Sequence, residues 1–210
     1  MIDLLHVDCM EYLATCEDNA FELAIVDPPY GIDVANMNMG MGKSARCSKS
    51  KNRKWKAKDW DVHTPTQAYF RELFRVSNHC MIWGGNYFDL PPTKHFVFWD
   101  KEIPEGLSFA DGELCWTTFG KAPRIFRYSA YKDKKTKFHP TQKPVKLYEW
   151  LLMNYAKEGD RILDTHLGSG SIAIACHNLG FDLVGCELDK DYFDAASNRL
   201  EKHQQQLRMF

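Results

Sequence analysis

The sequence predicts an α/β fold, a mostly parallel sheet with helices on both faces. Three observations carry that reading. Short apolar, β-branched runs alternate with longer stretches of helical periodicity. One such run, at 22–27, ends directly on Pro28-Pro29, and two prolines cannot continue a central strand. Another, at 161–165, passes into a helix through a turn holding Gly168 and Gly170, the usual passage from strand to helix in such folds.

The elements follow in order. Residues 2–7 read as a strand and 10–15 as a short helix. After the strand at 22–27, residues 31–62 are rich in Gly, Lys and Ser and lack periodicity, which predicts a mobile basic loop. A helix is expected over 66–76, where Ala68, Tyr69, Leu73 and Val76 share one face. Strands are expected at 80–83 and 95–99. Residues 103–138 are aromatic and β-like, with runs at 114–119 and 124–128, and read as a small inserted β element. The last third gives a helix over 144–155 with Pro144 in its first turn, a strand at 161–165 and a helix over 171–179 stopped by Gly180. A strand at 181–187 and a closing helix over 191–205 complete it.

At 210 residues, 44% apolar and 26% charged, the chain is sized and composed as one globular domain, 1–210. No apolar run is long enough to span a membrane, and Met1-Ile2-Asp3 does not open like a secretory signal. Seven cysteines without a C-x-x-C pair point to reduced thiols in a cytoplasmic protein, and neither they nor the eight histidines have metal-ligand spacing. No metal is expected. The net charge of −1 hides a segregation: 43–58 carries +8 and 121–137 carries +6, leaving −15 elsewhere. Charge runs are commonly just solvated faces, but two dense basic segments on an acidic chain are also what a phosphate backbone attracts.

Two motifs carry chemistry. In Asp164-Thr165-His166-Leu167-Gly168-Ser169-Gly170-Ser171 the glycines let backbone approach a ligand at a helix N-terminus. Glu187 stands seventeen residues past Gly170 at the end of the next strand, placed to accept hydrogen bonds from a ribose. The spacing is not that of a pyrophosphate cradle, and suits a cofactor with a ribose and no phosphates, such as S-adenosylmethionine. A tight turn in any α/β protein accounts for the glycines alone. In Asp27-Pro28-Pro29-Tyr30 a carboxylate, a rigid carbonyl and an aromatic ring meet at the carboxyl edge of the sheet. That set suits a planar base with an amino group, Asp27 and the Pro28 carbonyl accepting its hydrogens and Tyr30 stacking on its ring. A strand-ending proline turn with a surface tyrosine is the plainer alternative.

D-P-P-Y resembles the catalytic motif of the amino-directed DNA methyltransferases. Residues 164–171 resemble that family's cofactor loop, although Thr165-His166 stands where Pro-Phe is more common. His139-Pro140-Thr141-Gln142-Lys143-Pro144 is similar to a further family motif, as is Trp83-Gly84-Gly85-Asn86-Tyr87-Phe88, and Val7-Asp8-Cys9 resembles the adenine-contacting segment. The order, D-P-P-Y first and the glycine turn last, resembles the circularly permuted β class. The resemblance implies a Rossmann-like, mostly parallel seven-stranded sheet with one antiparallel strand. It further implies methyl transfer from S-adenosylmethionine to the N6 amino group of a flipped-out adenine in double-stranded DNA.

By the same resemblance, Asp27, Pro28, Pro29 and Tyr30 are catalytic. Asp8, Cys9, Asp27, Asp164, Gly168, Ser169, Gly170, Glu187 and Leu188 bind the cofactor, with Thr141, Gln142 and Lys143 at its carboxylate end. Thr141 doubles as a candidate N-cap before Pro144. Residues 103–138 become a target-recognition element, the cell is bacterial or phage-infected, and a homodimer is among the expected assemblies. N4-cytosine methylation, RNA or protein-glutamine methylation and a catalytically silent DNA-binding subunit are the rivals. Relatives acting on cytosine more often carry serine at the position of Asp27.

Overall fold

The computed structural model describes residues 1–33, 58–105, 110–130, 132 and 137–206. The basic run at 43–58 therefore lies outside the described residues except for Lys58. Chain order is β1 (Ile2–His6), α1 (Cys9–Thr15), β2 (Phe21–Val26), α2 (Gln67–Val76), β3 (Ser77–Trp83), a 3-10 turn (Gly85–Tyr87), β4 (Phe96–Asp100), β5 (Gly112–Thr117) and β6 (Arg124–Arg127). It continues with α3 (Val145–Tyr155), β7 (Arg161–Asp164), α4 (Ser171–Leu179), β8 (Asp182–Glu187) and α5 (Lys190–Gln205).

The strands form one sheet in the order β1-β8-β7-β2-β3-β5-β4-β6. Every neighbouring pair is parallel except those made by β5, which runs antiparallel to both β3 and β4. The described residues thus contain eight strands where the resemblance implies seven. The additional one is β6, which pairs with β4 at the sheet edge. Three of its four residues are exposed, including Arg124 and Arg127, and edge charges of this kind discourage further strand pairing. Strands β5 and β6, which fall within the segment 103–138, are both built into the main sheet. Its strand β5 ends in three buried residues, Cys115, Trp116 and Thr117, which could not stand alone in water.

Strand β2 shows why helices cover both faces. Side chains alternate along a strand, and Leu23 and Ile25 join one apolar cluster with Leu147, Leu151 and Leu152 of α3 and Ile172 of α4. Ala24 and Val26 join the other, with Leu13 of α1 and Tyr69, Phe70 and Leu73 of α2. A strand buried on both faces must be apolar throughout, as Leu-Ala-Ile-Val is.

Helix ends obey local chemistry. The Asp8 carboxylate accepts from the Met10 amide at 2.7 Å and starts α1. Asp189 accepts from Asp191 and Tyr192 and starts α5. Gly180, at φ 77°, ends α4 as expected. The expected N-cap at Thr141 is not formed: Pro144 itself is the N-cap of α3, and the Thr141 hydroxyl pairs with His139 Nδ1 at 3.2 Å.

Leu151 is fully buried and Met153, two residues on, is 63% exposed. Leu151→Ala is expected to destabilise the fold by about 2–5 kcal/mol, and Met153→Ala by less than about 0.5 kcal/mol. Urea melts of both variants check this.

Candidate active site

Chain direction makes the site. From β2 the chain goes on to β3, while from β7 it goes on to β8, which lies on the other side. Neighbouring parallel strands whose connections depart in opposite senses leave a crevice at their carboxyl ends, where α/β proteins bind ligands. The register pairs Leu23 with Ile162 and Ala24 with Leu163, so the ends bearing Asp27 and Asp164 finish together. A cavity of about 660 Å³ opens there, within the usual range for small-molecule sites.

Its wall includes Asp8, Cys9, Asp27, Pro29, Thr141, Gln142, Lys143, Gly168, Ser169, Glu187 and Leu188. The early proline elbow and the late glycine turn therefore face one space. Pro28, Tyr30, Asp164 and Gly170 are not on the wall. Asp164 is buried, its carboxylate accepts from the His166 amide at 3.0 Å, and burial pushes its pKa up to about 8. It shapes the turn. Gly170, at φ 66°, caps α4, and a Cβ there would sit 3.1 Å from Ala196, so its contribution is close packing of loop on α5.

The glycine side of the cavity is built around Glu187. Its carboxylate accepts from the Gly168 amide at 2.7 Å and the Asp189 amide at 2.8 Å. Burial pushes its proton affinity up, and those two amides oppose the shift. A carboxylate oxygen offers two lone pairs, so both oxygens keep capacity for a diol. Cys9 borders the same end, its thiol pushed up to about 12 by burial, and acts as a neutral, polarizable surface. Gly168 lies beneath the His139 ring, 3.5 Å from where a Cβ would stand. His139 is packed against Tyr192, ring centroids 4.2 Å apart. An S-adenosyl group fits this donor set: a buried acid for the ribose, an apolar border for the base and, among the described residues of the wall, no cluster of cations for phosphates.

The Asp27 side is charged and dry. Oδ1 of Asp27 accepts from the Tyr30 hydroxyl at 2.6 Å, and Oδ2 meets Lys143 Nζ at 2.5 Å. Lys143 Nζ also lies 2.9 Å from Glu113 Oε2, an ionic contact off the hydrogen-bond direction. It further donates to the Tyr30 hydroxyl at 3.3 Å. Lys143 thus lines the cavity, but its ammonium is held by Asp27 and Glu113 and is not directed at a cofactor carboxylate. Tyr30 is likewise engaged. Its ring stacks on Tyr87 with centroids 4.9 Å apart, and its amide and that of Gly31 donate to Asp61 Oδ1 at 2.7 and 3.1 Å. Gly84, at φ 69°, lies so close that a Cβ would be 2.2 Å from the Tyr30 ring.

Several participants were not legible as such. Glu113 opens a strand otherwise apolar and aromatic, a signal shared with any solvated strand-end acid. Asp61 lies 31 residues from Tyr30, at the end of an aperiodic stretch. Tyr69 was assigned to an apolar face, but its hydroxyl pairs with Thr165 at 2.6 Å, which places a polar partner beneath the unusual Thr165-His166 pair. Arg199 of α5 donates to the Ser169 carbonyl at 2.8 Å and the Ser171 hydroxyl at 2.9 Å, pinning the glycine turn from behind. Lys58, counted in the basic run, is clasped by Asp189 and Asp191 at 2.5 and 2.9 Å.

Against known proteins, the sequence matches the profile of the N6/N4 DNA methylases over residues 37–198, well over half its length. The chain belongs to the N6/N4 DNA methylase family. The matched span begins after Asp27–Tyr30, so those four residues rest on their geometry. The type II methyltransferase M2.DpnII of Streptococcus pneumoniae is 25% identical over 249 residues, 94% of this chain and 89% of that one. M2.LlaDCHI of Lactococcus lactis subsp. cremoris is 39% identical over 145 residues, 68% of this chain and 49% of that one. M.HpaI of Haemophilus parainfluenzae is 38% identical over 76 residues, 36% of this chain and 24% of that one. The chain therefore spans most of one of these relatives, half of another and a quarter of the third.

Among solved structures, the M1.HpyAVI-SAM complex superposes with a TM-score of 0.62 at 21% identity, covering 95% of this chain and 100% of that one. The PvuII DNA methyltransferase (cytosine-N4-specific) gives 0.61 at 12% identity, covering 97% and 90%. These likenesses establish the shared fold. Among the described residues no helix is long and apolar enough to cross a membrane.

His139 gives a pH prediction. Burial lowers its pKa from the usual 6.5 to about 3, so between those values the unfolded chain holds a proton that the folded chain refuses. Its contribution to stability is complete above pH 6.5 and is lost on acidification, by about 1.4 kcal/mol per pH unit. Urea melts at pH 6.5 and 4.5 are expected to show a smaller acid loss in His139→Gln than in the unsubstituted chain.

Proposed function

We propose that the chain transfers a methyl group from S-adenosylmethionine to the N6 amino group of an adenine in DNA. The observation that carries this is the common cavity: the Asp27 carboxylate and the Gly168–Glu187 turn face the same space. Glu187 would take the ribose hydroxyls. Asp8, Cys9 and Leu188 would border the adenine, and Thr141, Gln142 and Ser169 would hold the amino-acid end. Bound there, S-adenosylmethionine would supply an electrophilic methyl carbon; its transfer would leave the bonding pair on sulfur, and the nitrogen would release one of its two hydrogens as a proton to water.

The chain's own part is to prepare that nitrogen. An aromatic amine delocalises its lone pair into the ring. Hydrogen bonds from its two hydrogens to Asp27 and the Pro28 carbonyl localise the pair and favour a pyramidal nitrogen. Asp27 then faces the positive charge that grows on nitrogen, in a water-poor pocket where one fixed carboxylate is worth more than in solution. Amine and methyl donor must be held about 3–3.5 Å apart before attack. An amino group inside duplex DNA cannot reach that depth, so the base has to be extruded. Tyr30, stacked on Tyr87 and off the cavity wall, would have to turn a ring face towards the cavity to serve as the platform for that base.

A carboxylate at position 27 supports adenine, because cytosine-directed relatives more often carry serine there. The fold likeness to a cytosine-N4-specific enzyme makes N4-cytosine methylation the second reading. Duplex DNA as substrate is supported by family membership and by the basic residues of 121–137, of which Arg124 and Arg127 are exposed on β6.

Asp27→Asn is expected to lower methyl transfer at least about a thousandfold while leaving cofactor affinity within threefold, read by tritium transfer and by equilibrium dialysis. Nucleoside analysis of the methylated DNA should return N6-methyladenine. N4-methylcytosine would transfer the assignment to the second reading. The affinity for duplex DNA should fall with added salt at a slope near −0.9 per neutralised phosphate. Replacing Arg124 and Arg127 with alanine should make that slope shallower, and an unchanged slope would remove β6 from the DNA surface.

A further inference from the structure

The reaction as described uses Asp27 but not the groups that grip it. Lys143 Nζ lies between Asp27 Oδ2 and Glu113 Oε2, at 2.5 and 2.9 Å, with its side chain 1% exposed. An ammonium so deep in protein survives only when paired, and here it is paired twice. The two carboxylates are not held equally. Oε1 of Glu113 also receives Lys101 Nζ at 2.5 Å, so Glu113 draws on two cations and Asp27 on one. Two acids sharing a cation in a dry site differ in proton affinity according to such support. Burial pushes Glu113 up, but Lys143 and Lys101 outweigh it and hold its carboxyl down to about 2. Burial prevails at Asp27, whose proton affinity is raised against the pull of Lys143.

The remaining groups around Asp27 are the Tyr30 hydroxyl, Tyr148 of α3, Asp164 of β7 and Cys115 of β5. None of them is a cation. Lys143 is therefore the one positive charge that keeps Asp27 an anion among these partners, and Glu113 is what fixes Lys143 in place.

We propose that Lys143 and Glu113 are positioning residues for methyl transfer: Lys143, anchored on Glu113, keeps Asp27 ionised and orients Oδ2, so that the remaining lone pairs of Asp27 meet the target amino group. The inference rests on the reading of Asp27 as the amino-group acceptor. It differs from the cofactor-carboxylate role expected for Lys143, and gives Glu113 a function that the cavity wall alone would not suggest.

Two substitutions move the Asp27 carboxyl in opposite directions, and the acid limb of the rate profile follows those shifts only if the ionisation of Asp27 serves methyl transfer. The Asp27 carboxyl can be followed by carbon-13 NMR in protein labelled at aspartate, without DNA, and compared with the pH dependence of single-turnover methylation. Lys143→Met is expected to move the Asp27 midpoint up by about one unit or more, a tenfold gain in proton affinity, and to shift the acid limb of the rate profile with it. Glu113→Gln is expected to move the midpoint down, leaving Lys143 to Asp27 alone. Lys143→Arg keeps the charge and should restore the midpoint, which decides the matter if the methionine variant does not fold.

An Asp27 midpoint unchanged in both Glu113→Gln and the Lys143 variants overturns the proposal. So does a Lys143→Met enzyme whose cofactor dissociation constant rises tenfold with an unmoved midpoint, because that is the signature of a cofactor-carboxylate ligand. Wild-type protein inactive on both adenine and cytosine, with midpoints moving as expected, refutes the transfer role while the charge arrangement stands, so the two failures are distinguishable.

Discussion

The site depends on two parallel strands that lie side by side and send the chain in opposite directions. Because β2 leads to β3 and β7 leads to β8, their connections depart in opposite senses, and a cavity lies at the carboxyl ends of the two strands. The in-register pairing of the two strands sets the depth of the opening. A proline elbow on one strand and a glycine turn on the other then become neighbours, although more than 130 residues of chain separate them. Burial of β2 on both faces fixes this register: a slip by one residue would exchange its leucine–isoleucine and alanine–valine faces between helix layers shaped for one of them.

Within that opening the chain accepts an electrostatic cost. Asp27, Glu187 and Lys143 on its wall, with Glu113 and Asp164 off it, are gathered at low dielectric, where carboxyl groups resist ionisation and amines resist protonation. Each is answered locally. Glu187 has two backbone amides, Asp164 has one, and Glu113 has two lysines. These pairings explain why β4, β5 and α3 converge on one point: Lys101 follows the end of β4, Glu113 lies on β5 and Lys143 precedes α3. The segment that read as an insert thus supplies Glu113 to the charge cluster around Asp27.

Motifs that bend the backbone were legible because bending needs particular residues. Prolines after an apolar run and glycines between strand and helix announce themselves, and Gly180 was identified as a stop by the same logic. The helix faces were legible from periodicity. The partners were not, because an ion pair across a sheet leaves no trace in local spacing: Glu113 and Lys143 are thirty residues apart, and Asp61 and Tyr30 thirty-one. Lys143 was singled out, but its contacts with Asp27 and Glu113 were not, since its motif says that it lies near the cavity and not which way its stem turns. The strand pairing of 112–127 was missed for a related reason. Aromatic alternation shows that a segment is β, and only the vacancy beside β3 and β4 shows where it docks.

The closeness of Gly84 to Tyr30 also constrains how this protein can change. A side chain at position 84 would have to occupy the volume of the tyrosine ring and adopt a left-handed backbone, two separate obstacles. Removing the ring first clears one of them but strips Asp27 of its hydroxyl partner. The two positions are therefore locked against stepwise drift: each single replacement is penalised before the compensating one can arrive.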